Sequence, residues 1–225
     1  MVALPMLLLI AVTSADAQRA GASIDHVILG ASDLDSAMVD FERRTGVKPA
    51  FGGVHPGQGT RNAIVRVGEG AYLEILAPDP AQKVSGTTAA ELVGLRRMTP
   101  VGWAVGTSDV ARLRDRLRRA GFRPDRLSPG SRRRPNGQRI SWVTVDIAGI
   151  HRNIAPFFIQ WRNPAQHPSR SAPGGCRLHQ LAIATPQPAP LQRLIAELRL
   201  EVHVARKAKS RIGLSLDCPK GRVTF

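Results

Sequence analysis

Cysteine is nearly absent from this chain: two thiols, Cys176 and Cys218, in 225 residues. That excludes a disulfide-dense scaffold, and their isolated spacing matches no zinc site. Acidic residues are also few, 17 against 32 basic ones, for a formal charge of +15. Aromatic residues make up only 4%, so the stacking platforms that single-strand binders need are missing and nucleic acid is not expected as a partner. The longest apolar run, residues 4–12, is too short to cross a bilayer, and no membrane span is expected. What the chain does have is 43% hydrophobic residues, enough for a sizeable core in one or two domains. The cations are mostly arginine. They read as a solvated basic surface, with a small anionic ligand as the functional alternative.

Residues 6–12 form a short apolar stretch, and Ala15-Asp16-Ala17 before Gln18 is a small-x-small cleavage site. Together they read as a secretory signal over residues 1–17, although no Lys or Arg precedes the apolar stretch. The expected location is periplasmic or secreted, with a cytoplasmic protein carrying an apolar extension as the alternative. After export, Cys176 and Cys218 either pair, closing a loop of about 40 residues, or remain two thiols.

An internal repeat organises the rest. Ile24-Asp25-His26-Val27-Ile28-Leu29-Gly30 reads as a buried strand, followed by a helix capped near Asp33, with Leu34, Ala37, Met38 and Phe41 at helical spacing and a stop at Gly46. About 76 residues later the text returns. Gly102-Trp103-Ala104-Val105-Gly106 is a strand, Asp109 the cap, and Val110, Leu113 and Leu117 face inward before Gly121. Gly30 matches Gly106, Ser32 matches Ser108 and Asp33 matches Asp109. Strand signals follow each helix, at 62–67 and 71–76 in the first copy and at 140–145 and 156–161 in the second. Each copy is thus read as βαβββ. A third, partial copy is expected over about 177–225, with strands at 179–184, 202–205 and 212–216 and a helix at 189–200.

With His26 in the first strand and Glu74 in the fourth, this repeat resembles the vicinal-oxygen-chelate superfamily, and more closely its glyoxalase-like domain proteins. Ile24-Asp25-His26-Val27, the stretch from Gly52 to Asn62, Tyr72-Leu73-Glu74-Ile75-Leu76, Pro129-Gly130-Ser131-Arg132 and Phe157-Phe158-Ile159-Gln160-Trp161 carry the likeness. The resemblance implies an α+β fold over residues 23–225. Tandem βαβββ units, about 24–80 and 100–164, form an open curled β-barrel with flanking helices, beside the partial third unit.

It also implies a divalent metal (Mn, Ni, Zn, Co or Fe) held by strands one and four of each unit. The matching residues are His26 and Glu74, with Glu74 as the catalytic carboxylate. In the second unit Gly102 falls opposite His26, and aligning the final strands puts Gln160 opposite Glu74 as a weaker, neutral third ligand. His55 and Asn62, in an expected cavity-mouth loop, and Trp142, as a cavity wall, are the candidate substrate-binding residues. Arg132-Arg133-Arg134 is expected to steer an anion near the mouth. His167 reads as a loop residue, and His179 opens the third unit at a place resembling His26. Two function classes follow: a metal-dependent lyase, isomerase or dioxygenase acting on a small oxygenated substrate, or a non-catalytic small-ligand-binding module with a degenerate metal site. A homodimer is left open.

Overall fold

The structure, a computed structural model, describes residues 22–151 and 154–225; the expected signal segment lies outside them. The first unit runs β1 (Ser23–Gly30), α1 (Leu34–Thr45), β2 (Ala50–His55), β3 (Thr60–Gly68) and β4 (Ala71–Pro78). The second runs β5 (Thr99–Gly106), α2 (Val110–Arg119), β6 (Arg123–Pro124), β7 (Ser128–Arg133), β8 (Arg139–Val145), β9 (Ile147–Ala148) and β10 (Phe157–Trp161). The third runs β11 (Arg177–Thr185), α3 (Pro188–Leu198), β12 (His203–Arg206), β13 (Arg211–Cys218) and β14 (Gly221–Thr224).

Both repeat helices start for the same reason. The Asp33 carboxylate accepts from Ser36 N at 2.8 Å, and that of Asp109 accepts from Arg112 N at 2.9 Å. Gly46 closes α1 in the left-handed region. Val27 and Leu29 on β1 meet Leu34 and Phe41 of α1, and Val105 meets Leu113 and Leu117 of α2, in one continuous core. Residues between these on the strands point to the other face, into the barrel.

Eight strands close that barrel in the order β1-β4-β3-β2-β7-β8-β10-β5. The expected barrel is there, but closed where the sequence suggested an open one. The closing seam is thin: β2 and β7 pair only at Val54 and Arg133. Gly53, at φ +134°, permits the approach, since a Cβ there would run into Arg133 O. Arg132, read from sequence as part of a mouth loop, lies in the seam strand β7, and of the stretch 55–62 His55 ends β2, 56–59 turn and Asn62 lies in β3.

The third unit repeats the element order but not the wiring. In the first unit β1 pairs parallel with the last strand, β4; here β11 pairs parallel with β12, directly after the helix, in a separate sheet ordered β12-β11-β13-β14. Its Leu181, Leu194 and Leu214 join the same core as the barrel. A Cys176–Cys218 disulfide ties the start of β11 to the end of β13. Phe225 stacks on Phe41 of α1 at 5.9 Å, and Arg44 donates to Thr224 O at 2.8 Å. No helix among the described residues is long and apolar enough to cross a membrane.

Candidate functional site

The barrel interior holds a buried polar cluster built mainly by the first unit. His26 enters from β1, His55 from the end of β2, Asn62 from β3 and Glu74 from β4, and all are at most 7% exposed. Asn62 Nδ2 donates to Glu74 Oε1 at 2.6 Å. His26 Nε2 lies 3.8 Å from Glu74 Oε2, and His55 Nε2 lies 3.7 Å from Oε1. The imidazoles therefore flank the carboxylate, each beside a different oxygen. His55 Nδ1 is held by Thr60 Oγ1 at 3.0 Å. Burial pushes the His55 pKa down against the attraction of Glu74, favouring its neutral ring.

Asp25 completes the cluster, and strand alternation hides it. A register shift between Ile24 and His26 against β5 breaks the alternation, so Asp25 and His26 reach the same side. Asp25 Oδ1 lies 2.7 Å from His26 Nδ1, while Oδ2 meets Trp161 Nε1 at 3.0 Å and His167 Nε2 at 3.1 Å. Ser169 N donates to His167 Nδ1, which leaves His167 Nε2 as the protonated nitrogen, a donor to Asp25. The carboxylate in turn fixes the proton of His26 on Nδ1 and leaves Nε2 open toward Glu74. Burial opposes the charge on Asp25, but the hydrogen bonds from His167 and His26 outweigh it and hold the pKa at about 2.

Tyr72 stacks on His26 at 4.6 Å between ring centres, and Phe157 meets the same ring edge-on. Trp142 stands edge-on to His55 at 6.3 Å and to Trp161 at 5.3 Å. Arg132 is not at the rim; it is 3% exposed inside the barrel and donates to Gly52 O. Two clefts lie elsewhere. One, of about 200 Å³, is lined by Ile150, Thr185, Gln187 and Ser210, and another, of about 350 Å³, by Arg66, Glu69, Gly174 and Arg177.

Gln160 is corrected by the hydrogen-bond register. Ala31 N donates to Leu76 O, and its counterpart Thr107 N donates to Ile159 O. Leu76 thus corresponds to Ile159, and two residues earlier Glu74 corresponds to Phe157. Gln160 faces the helix side, where Oε1 accepts from Val110 N at 3.1 Å and Nε2 donates to Ser108 O at 2.7 Å. The second unit accordingly offers Gly102 and Phe157 at the two ligand positions, neither of which can bind a metal. Among the described residues no three His, Cys, Asp or Glu side chains converge on a point. The residues present do not fit the superfamily's divalent metal. His179 is also remote from the barrel, half-exposed beside Asp217 at 3.3 Å.

A family model described as a glyoxalase-like domain matches residues 24–199. The chain belongs to the glyoxalase-like domain family. It is thereby a vicinal-oxygen-chelate protein, a superfamily whose members commonly use divalent metals. A hypothetical protein from Staphylococcus aureus shares the fold at TM-score 0.66, with 14% identity over 84% of this chain and 88% of that one. A methylmalonyl-CoA epimerase from Mycobacterium tuberculosis is similar over 61% of this chain and 87% of its own, at 23% identity and TM-score 0.44. No curated protein matches the chain.

Asp25, Tyr72 and Trp161 had no assigned role from sequence, Arg132 was expected only as a rim cation and His167 only as a loop residue. An acid beside the strand-one histidine was the visible signal for Asp25. For His167, separated from Asp25 by 142 positions, local sequence offers none.

Proposed function

We propose that the interior of this glyoxalase-like barrel is a proton-transfer site acting on a small oxygenated substrate, by isomerase- or lyase-type chemistry. One observation carries the reading. His26 Nε2 and Glu74 Oε2 face each other at 3.8 Å, too far for a hydrogen bond, while the other polar atom of each is anchored, by Asp25 and by Asn62. Two proton-accepting atoms left open side by side, with their partners fixed, form an acid–base pair.

Glu74 takes a proton from a carbon next to a carbonyl, and the electron pair moves to the carbonyl oxygen. His26, oriented by Asp25, moves the proton on, and the buried Arg132 faces the developing negative charge. Return of the proton to the same or a neighbouring carbon completes an isomerisation.

The second reading is a binding module without chemistry. It is favoured by Gly102 and Phe157 at the second unit's two ligand positions, where no metal ligand stands. A panel of small hydroxy-carbonyl compounds in D₂O separates the two by NMR. The enzyme reading expects deuterium at carbon, lost in Glu74→Gln and unaffected by a chelator. A ligand that binds wild type with no exchange of any carbon-bound proton supports the module instead.

A further inference from the structure

Two buried groups inside the barrel, one with an orphaned acceptor and one a desolvated cation, adjoin the same two glycines. Asn62 gives Nδ2 to Glu74, but its buried Oδ1 has no hydrogen-bond donor. An acceptor sealed away from water without a donor is destabilising, and such atoms are uncommon in native interiors. Arg132 donates to Gly52 O, and Glu74 acts on its charge only at longer range. Glu74 is thus shared among Arg132, two imidazoles and an amide, while Asp25 is taken up by His26, His167 and Trp161.

The two groups converge on Gly52-Gly53. A Cβ on Gly52 would collide with Asn62 Oδ1, and a Cβ on Gly53 would stand 3.2 Å from Arg132 Nη1. The bare diglycine lets an open acceptor and an under-compensated cation approach one backbone segment beside Glu74.

We propose that this corner of the barrel takes a small 2-hydroxycarboxylate, its carboxylate on Arg132 and its hydroxyl donating to Asn62 Oδ1. One guanidinium matches one carboxylate in charge and in planar fork geometry. One orphan acceptor requires a donor on the ligand, and a hydroxyl on the neighbouring carbon supplies it. This substrate class rests on the proton-transfer reading of the same site. The proton removed is the one on C2; its electron pair enters the carboxylate as an enediolate facing Arg132, and the proton returns to C2.

Titration calorimetry of the full chain with L-lactate, glycolate, propionate and 1,2-propanediol tests the assignment. Lactate and glycolate are expected to bind about tenfold or more tighter than propionate, which lacks the hydroxyl, and than propanediol, which lacks the charge. Arg132→Met should erase the preference for lactate over propanediol, and Arg132→Lys should retain part of it, a control against misfolding. Asn62→Leu should erase the preference for lactate over propionate. Equal binding of propionate or propanediol by wild type, an unchanged preference in Arg132→Met, or binding of none of the four overturns the proposal. If lactate binds selectively but no deuterium enters C2, the ligand assignment stands and the proton-transfer reading falls. If deuterium enters a neutral hydroxyketone while no anion binds, the reverse holds.

Discussion

Asp25 is the residue on which the site's order depends. It accepts from His26, His167 and Trp161 at once, and its pKa falls from 3.8 to about 2. A carboxylate with a depressed folded-state pKa stabilises the fold above its unfolded pKa, and that contribution is lost as pH falls through the folded value. The window is therefore about pH 4 down to pH 2, and the contribution is about 2 kcal/mol. Urea unfolding at pH 5 and pH 2 should show wild type losing about this much more stability than Asp25→Asn. Identical losses would remove Asp25 from the account. His26 and Glu74 were legible because repeat position and strand order place them. Asp25 was not, because strict alternation would send neighbours to opposite faces and only the register shift brings both inward. Arg132 looked like a rim cation because its Pro/Gly/Ser surroundings suggested a loop.

At the scale of elements, the repeat helices could be read from their caps, whereas the seam strands could not. β2 and β7 carry glycine, proline and serine where strands usually carry branched or aromatic residues, because side chains there would obstruct closure. Gly53→Ala should destabilise the domain by about 3 kcal/mol, from a positive-φ position and a collision with Arg133 O. Denaturant midpoints measure this, and a neutral effect would show that the seam is not closed in solution. Gln160 lies on the outer face of β10 and ties that strand to the start of α2. Gln160→Leu is expected to lower stability by about 1–2 kcal/mol and leave ligand binding unchanged. Loss of binding with stability retained would return Gln160 to the site. Composition alone does not fix the register of the two final strands, whereas the Ala31 and Thr107 hydrogen bonds put Phe157, three residues before Gln160, opposite Glu74.

At the scale of the molecule, the third unit is an add-on sheet latched to the barrel by α1 and by shared core. Its first four elements were readable, but its last strand, β14, and its pairing were not, since order alone does not say which strand the helix returns beside. The disulfide within it spans 42 residues, and its removal in Cys176→Ala/Cys218→Ala should cost about 4 kcal/mol in unfolding free energy. We also propose export of the chain. The disulfide supports it, and an intact mass beginning at Gln18 from native expression is expected; a cytoplasmic species starting at Met1 would contradict it. In the proposed site the first unit supplies the proton-transfer groups, His26 and Glu74, the second supplies Arg132 for the charge, and no metal takes part. The most direct measurement of this central claim is deuterium incorporation at C2 of lactate in D₂O, comparing wild type with His26→Gln after chelator treatment and confirming equal folding by circular dichroism. Exchange is expected in wild type, with a loss of about a hundredfold or more in His26→Gln. Equal exchange in both proteins, or exchange that disappears with the chelator and returns with added metal, would contradict it.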